Sequence, residues 1–172
     1  MRVAVFPFEI KRIDAPQGVL GRQGPRAIVE ALRAAGIAGE RPQWYTRAGD
    51  GAAHVTVEAP LPINVVDEAC DDLDATHAVL GRVHVTGHRA YLSLALASEE
   101  GTHTGSLEAT TLFDESAPRD ALPTLIRSAA AALIHALTGD ASSVADDDAP
   151  TLEAWLVDAT ADDGRDLDMA RT

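Results

Sequence analysis

The sequence predicts an α/β domain whose elements follow the order β-α-β-α-β-β-β-α around a mixed sheet. Three observations support this fold class. Residues 3–8 are apolar on both faces, as expected for a strand that is covered on both sides. Two stretches with helical apolar spacing follow. Residues 78–113 then alternate as a three-stranded meander, and a long helix with one apolar stripe comes after it.

The first half of the predicted domain alternates strands and helices. Residues 9–24 are expected to form a long loop, after which Pro25 suits the first position of a helix that ends at the C-terminal cap Gly36. A second short strand is predicted at residues 43–46. A second helix is predicted over residues 64–74, with the asparagine at its start as the cap.

The most regular part of the sequence predicts three antiparallel strands, at residues 78–85, 91–97 and 104–113. Gly87 and Gly101 supply the turns between them. In the middle strand every second residue is a leucine, so one face points to the core and the other is covered only lightly. The predicted core residues of this strand are Leu92, Leu94 and Leu96.

A last helix is predicted after Asp120, with Pro123 in its first turn, where amides have no intrahelical acceptor. Gly139 is expected to end it. The predicted buried stripe of this helix consists of Leu122, Leu125, Ile126, Ala129, Leu133, Ala136 and Leu137.

The negative charge of the chain is concentrated near its C-terminus. The formal net charge is −13, of which the residues up to Gly139 contribute −5 and the residues after it −8. We therefore expect an α/β domain over residues 1–139 and an acidic linker over residues 140–149, which are too polar to fold alone. An acidic tail that contains one more amphipathic helix follows over residues 150–172.

Composition argues against several functional classes. With one lysine and no basic stripe, the chain lacks the positive surface that dominates nucleic-acid affinity. It shows neither a secretory signal nor the apolar run of roughly 20 residues that a membrane helix needs. Cys70 is the only cysteine, so we expect a small buried hydrophobe in the reducing cytoplasm.

Two stretches resemble a known family. Residues 3–8, Val-Ala-Val-Phe-Pro-Phe, resemble the strand that opens TolB-like amino-terminal domains. Residues 74–89 resemble a segment of that family in which a helix is followed by a strand that contains an apolar residue next to a glycine. A turn centred on glycine comes next, and a strand of alternating polarity follows the turn. Residues 90–139 match its third strand and long helix, and residues 150–155 resemble the start of its first tetratricopeptide repeat.

The resemblance implies a Rossmann-like or anticodon-binding-like layer, joined to tetratricopeptide repeats or to a β-propeller and acting in protein assembly or regulation. It brings no catalytic residues. The sequence departs from the family pattern in two places, and these departures bear on a shared ligand rather than on the fold. The tryptophan common in the family's third meander strand is absent between Thr102 and Phe113, and residues 51–62 form a longer segment than usual.

The best local candidate for a ligand site lies between the first strand and the first helix. Gly21 and Gly24 would expose backbone amides near a helix N-terminus, which attracts anions, and Arg22 and Arg26 would add positive charge. The spacing matches neither the dinucleotide-binding nor the P-loop pattern, and the loop exceeds the roughly 2 to 6 residues usual in such folds. Ordinary loop glycines are the simpler interpretation.

Other reactive side chains show no pattern of a site. The six histidines lack the spacing of zinc ligands, and the aspartates after Gly139 lack the positions of an EF-hand, so we expect no metal. No serine lies in a Gly-x-Ser-x-Gly turn, and no histidine that could activate Cys70 is near it in the sequence. We expect no catalytic residues and no cofactor.

These observations predict a non-catalytic binding or scaffolding module of a helical-repeat protein, which mediates protein assembly or ligand-sensing regulation. Its protein partner would bind through the downstream repeats. The sequence does not decide whether the chain forms a homodimer. The alternative is a nucleotide- or phosphate-binding α/β domain, with or without catalysis, that uses the loop at residues 18–24.

Overall fold

A computed structural model describes residues 1–12, 15–42, 57, 59–98 and 103–139. The strands are β1 (Arg2–Val5), β2 (Glu9–Ile10), β3 (Ala38–Glu40), β4 (His77–Thr86), β5 (Arg89–Ser98) and β6 (His103–Leu112). The helices are α1 (Gly18–Ala34), α2 (Ile63–Leu73) and α3 (Leu122–Thr138), and a 3₁₀ turn (Pro118–Ala121) precedes α3.

The strands form one mixed sheet in the order β3-β1-β4-β5-β6, with β2 pairing to β4 beyond the end of β1. β1 runs parallel to β3 and β4, whereas β4, β5 and β6 form an antiparallel meander. The predicted α/β class, the mixed sheet and the meander are therefore confirmed. The observed order adds one short strand, β2, that the sequence analysis did not predict.

Within the part of the chain that the structure describes, the two faces of the sheet are covered unequally. Helices α1 and α3 pack on one face and enclose the main core. Helix α2 packs on the other face, over β1 and β4, around the smaller cluster of Phe6, Val66 and Ala69. We call this second side the open face, because the part of it formed by β4 and β5 beyond α2 carries half-buried and exposed side chains.

The alternation in β5 follows the prediction. Leu92, Leu94 and Leu96 are buried in the main core, and the residues between them lie half-buried on the open face. Period-two alternation decides which side chains enter the core, and the long β4–β5 pairing holds that register over ten residue pairs.

Phe8 occupies the closest contact between the sheet and α1. Its ring lies between Gly24 of α1 and Gly81 of β4 and is fully buried. A Cβ at Gly24 would lie 2.6 Å from Cδ2 of the ring, and a Cβ at Gly81 would lie 2.7 Å from Cγ. Any side chain at either position would therefore displace the ring.

The prediction of a loop at residues 18–24 is wrong. Helix α1 begins at Gly18, so Gly21 and Gly24 are helical, and Pro25 lies inside the helix rather than at its first position. Glycine and internal proline both disfavour a helix, which is why the sequence pattern failed here. Tertiary packing outweighs the low propensity, because seven of the eight residues from Gly18 to Pro25 are buried.

Several boundaries also differ from the predictions. The strand after α1 is β3, which begins two residues after Gly36, whereas the strand predicted at residues 43–46 lies outside the described residues. Gly36 has a φ of +75° and ends α1 as expected. Helix α2 starts at Ile63, with Pro62 rather than Asn64 at its N-cap. Residues 140–172, including the predicted linker and repeat, lie outside the described part.

Helix α3 ends at Gly139 as predicted, with a φ of +70°. Asp120 lies in the preceding 3₁₀ turn instead of capping the helix. The buried stripe has seven residues, as many as predicted, but Ala130 and Ile134 replace Ala136 and Leu137 because α3 packs against both the sheet and α1. Ala136 is exposed and Leu137 half-buried. The buried residues are Leu122, Leu125, Ile126, Ala129, Ala130, Leu133 and Ile134.

The segment Pro118–Thr138, at 21 residues, is long and apolar enough to cross a membrane by length and composition alone. In the fold it is a core helix, whose buried side chains pack on β5, β6 and α1. This packing accounts for its apolar composition.

Leu94→Ala should destabilise the domain by about 2 to 5 kcal/mol, because truncating a fully buried leucine removes apolar contacts and leaves a cavity. Ser93→Ala, one residue away on the open face, should change stability by about 0.5 kcal/mol or less. Urea unfolding of both variants measures the difference. A nearly neutral Leu94→Ala together with a strongly destabilising Ser93→Leu would reverse the face assignment.

Gly24→Ala tests the packing of Phe8. Alanine would ordinarily stabilise a helix interior by about 0.5 to 1 kcal/mol relative to glycine. Here we expect a net loss of about 1 to 3 kcal/mol, because the new methyl group meets the Phe8 ring. In a Phe8→Leu background the loss should shrink or change sign, as measured by a double-mutant cycle in urea. An equal loss in both backgrounds would contradict the contact.

Candidate functional site

A groove of about 750 Å³ crosses the open face of the sheet. Strands β2, β4 and β5 form its floor, and Pro60 and Leu61, just before α2, form its rim. Volumes of this size are typical of small-molecule sites. The side chains of the floor that face the groove belong to Glu9, Leu80, Arg82, His84, Thr86, Ser93 and Ala95.

The short strand β2 brings the groove's charges together. β2 pairs with β4 so that Glu9 lies opposite Arg82, and on its other side Glu9 bridges Val57. The amide of Ile10 donates to the carbonyl of Val57 over 2.8 Å, which ties Val57 to β2. The groove therefore depends on pairing between segments that are far apart in the chain.

Glu9 and Arg82 form an ion pair in the groove. Nε of Arg82 donates to Oε2 of Glu9 at 3.0 Å, and Nη2 of Arg82 lies 3.0 Å from the same oxygen. The Glu9 side chain is only 13% exposed, whereas that of Arg82 is 58% exposed. The carboxylate is thus held by the guanidinium, which keeps its other donors toward solvent. Exposed Lys11 adds a second cation to the lining.

An aromatic pair extends the floor toward the β4–β5 turn. His84 and Tyr91 lie directly opposite each other in the register, and their rings stack with centroids 4.6 Å apart and planes 2° from parallel. At the same end of the open face, Leu112 of β6 is 72% exposed. This end offers flat, partly apolar surface next to the charged centre of the groove, a combination that suits recognition of a ligand.

The predicted site residues lie elsewhere. Gly21 and Gly24 are buried inside α1, where Gly24 makes room for the Phe8 ring. Arg22 and Arg26 lie one turn apart on the half-buried side of α1, which covers the opposite face of the sheet. The helix therefore keeps these four residues together but away from the groove, and it removes the loop geometry on which the predicted anion site was based.

The first amides of α1 also have acceptors within the chain. The Gly18 amide donates to the carbonyl of Ala15 over 2.8 Å, and the Leu20 amide donates to that of Gln17 over 3.0 Å. These hydrogen bonds use some of the backbone amides that would otherwise be available to bind a phosphate at the start of a helix.

Sequence reasoning did not identify the charge pair of the groove. The alternation of Arg82 and His84 with Gly81 and Val83 did mark an outward polar side of β4. Nothing local, however, indicated that Glu9 forms a strand, because two residues are too few for a periodic signal. Among the described residues, no group of three or more His, Cys, Asp or Glu side chains could hold a metal ion.

Comparison with known proteins gave distant structural likenesses. No family model matches the sequence, and no curated protein matches it either. The chain is similar to the PelC dodecamer from Paraburkholderia phytofirmans, with 20% identity and a TM-score of 0.43 over 64% of this chain and 71% of that one.

TolB from Acinetobacter baumannii is also similar. Its identity is 11% and its TM-score 0.39, over 80% of this chain but only 28% of TolB. Protein VC0702 from Vibrio cholerae shares 13% identity with a TM-score of 0.31, over 66% and 62% of the two chains. TolB is thus among the structures that resemble this chain, as the sequence resemblance implied, at a level that carries no argument about function.

Cys70 is half-buried on α2, beside the smaller core cluster. Burial raises the pKa of its thiol, and the nearby carboxylates of Asp67 and Asp71 raise it further. The thiolate, which is the nucleophilic form, is therefore disfavoured. Cys70 is thus half-buried rather than buried as expected, and it packs against the smaller core cluster.

Alkylation of Cys70 by iodoacetamide should show a pH midpoint above that of the urea-unfolded chain, because the folded state disfavours the thiolate. Stability should also fall as the pH rises through the pKa of the unfolded thiol, since the unfolded chain releases this proton first. Asp67→Asn should lower the folded midpoint. Identical midpoints in the folded and unfolded chains would contradict the assignment.

Proposed function

We propose that the chain is a non-catalytic binding module and that the groove on the open face is its binding surface. The uneven coverage of the sheet by the described residues supports this proposal: α2 shields β1 and the start of β4, while the remaining part of β4 and β5 bears a groove with a charged centre. Domains normally bury both faces of a sheet or make the exposed one polar, so a grooved, partly apolar face favours a role in recognition.

The geometry of the charged pair supports binding. The Glu9 carboxylate and the Arg82 guanidinium hold each other in place, so a ligand would meet donors whose directions are already set. Preorganised donors lower the cost of ordering on association. Leu61 and Leu80 at the α2 end of the groove supply apolar surface for the remaining part of a ligand.

We further propose that residues 1–139 form this module, that residues 140–149 link it to a helical repeat beginning at residue 150, and that a protein partner binds through such repeats in the cytoplasm. The sequence pattern and the acidic composition support this part of the proposal. The alternative, a nucleotide- or phosphate-binding domain that uses residues 18–24, has lost its loop geometry and becomes an outcome of the following test.

Screening a fragment library against the ¹⁵N-labelled full chain should move amide signals of the groove floor, chiefly those of Leu80, Arg82, His84 and Ala95. Ala95→Arg should abolish these shifts, because the long side chain fills the floor. The same substitution at Ala136, on the exposed side of α3, should leave them unchanged.

Two results would count against this proposal. Fragment binding that survives Ala95→Arg places the binding surface elsewhere. Shifts confined to the first turns of α1, with the groove silent, favour the alternative function. Thermal melts of both arginine variants verify that the fold is retained.

A further inference from the structure

Strand β6 is the edge strand of the sheet, beside β5. It has ten residues, and no strand in the described part of the chain pairs with its outer side. Proteins usually protect a long edge with lysine, proline or a bulge, because its free backbone groups can pair with another strand. β6 contains neither lysine nor proline, and the irregularity in its pairing, between Ala95 and Ala97, lies away from residues 107–112. This part of the edge thus lacks the usual protection.

The register shows which backbone groups of β6 point outward. The amide of Phe113 donates to the carbonyl of His88, so these two residues form a hydrogen-bonded pair just beyond the end of β6. Because such pairs alternate along an antiparallel ladder, Leu107, Ala109 and Thr111 also bond to β5. No backbone group in the described part of the chain bonds to the amides and carbonyls of the residues between them, which point away from the sheet. These outward residues are Glu108, Thr110 and Leu112, and their side chains are exposed.

Helix α3 presents small side chains on the flank beneath this edge: Ser128, Ala132 and Ala136. We call these residues the α3 flank. α3 packs under β5 and β6 and contacts α1 on its opposite side, toward which helical geometry places the buried Ala130 and Ile134. Because small side chains let two helix axes approach closely, a second helix can pack on the α3 flank while the sheet continues beyond β6.

We propose that β6 pairs antiparallel with β6 of a second copy of this chain, so that two sheets join into one around a two-fold axis at Thr110. A two-fold axis brings the same surface of both copies together, and here it sets outward donors opposite outward acceptors. Glu108 then lies opposite Leu112 of the partner subunit, and each opposed pair exchanges two hydrogen bonds. The α3 flanks of the two copies meet beneath the joined strands. The groove is formed by β2, β4 and β5, so this interface leaves it accessible.

Charge favours this register over a neighbouring one. Arg89 of β5 lies beside Leu112, on the side away from the edge. In the proposed dimer, Glu108 therefore faces Arg89 of the partner subunit across two strand spacings, about 10 Å, which these two long side chains can bridge over the leucine. An axis at Thr111 instead would set Glu108 opposite Asp114 of the partner subunit, and like charges directly opposite each other are destabilising.

Sedimentation velocity of the full chain over a range of concentrations should show an equilibrium between monomer and dimer. Thr110→Pro should weaken the dimer about 10-fold or more, because it removes one outward amide from each copy at the axis. This amide bonds nothing on β5, and edge strands tolerate proline at such positions, so the fold should be retained. Thr110→Lys should also weaken the dimer, since the axis sets two lysines opposite each other. Thr124→Lys, on the exposed side of α3, is the matched control and should leave the dimer unchanged.

Charge reversal tests the register and stays informative if the proline variant fails to fold. Glu108→Arg and Arg89→Glu should each weaken the dimer, because each sets like charges across the interface. The double variant should restore most of the lost affinity. Within one chain Arg89 pairs with Leu112, four residues from Glu108, so restoration reports a contact between copies.

Hydrogen exchange tests the paired amides directly. The amides of the outward residues Glu108, Thr110 and Leu112 should exchange more slowly as the concentration of the chain rises and the dimer forms. The amides of Ala109 and Thr111 bond to β5 within the chain, so they should be protected at every concentration and serve as the internal control.

Three results would overturn the proposal. One is a monomer at every concentration up to the limit of solubility. Another is a dimer that neither Thr110→Lys nor the charge reversals weaken, which would place the interface elsewhere. The third is a monomer whose outward amides are already protected, which would show that a segment of the same chain covers the edge. Fragment shifts in the groove should persist in Thr110→Lys, so this proposal and the proposed groove function fail independently.

Discussion

The ring of Phe8 joins three parts of the fold. It belongs to the segment between β1 and β2, and it fills the space between Gly24 of α1 and Gly81 of β4. The chain pairs with β4 on both sides of this ring, first through Val5 opposite Val79 and then through Glu9 opposite Arg82. From Val5 to Glu9 the chain advances by four residues, whereas β4 advances by three residues between their partners Val79 and Arg82. The extra residue lets the Phe8 side chain point into the core. The same irregularity sets the register that puts Glu9 beside Arg82, so core packing and groove geometry have one origin.

The unequal covering of the sheet follows from the lengths and connections of the helices. α1 and α3, with 17 residues each, span one face, whereas α2 has 11 residues and lies over β1 and β4. The meander strands extend ten residues each and therefore reach beyond α2. Side chains on this face beyond α2 have no helix to pack against among the described residues, and the sequence places Arg82, His84 and Ser93 there.

Local charge and total charge differ in this protein. The chain as a whole carries −13, yet the described lining of the groove contains two cations, Lys11 and Arg82, and one carboxylate, Glu9. Screening at physiological salt limits interactions to about 8 Å, so the distribution of nearby groups outweighs the total charge at each place.

The sequence by itself determined the α/β class, the order of the main elements, the alternation of Leu92, Leu94 and Leu96, and the end of α3 at Gly139. These features depend on period-two or helical spacing and on the conformation of single residues, which are local properties. Only the tertiary structure decided that residues 18–24 are helical, because burial against Phe8 outweighs the low propensity of glycine. It also decided the pairing of Glu9 with Arg82, since contacts across 73 residues leave no periodic trace in the chain.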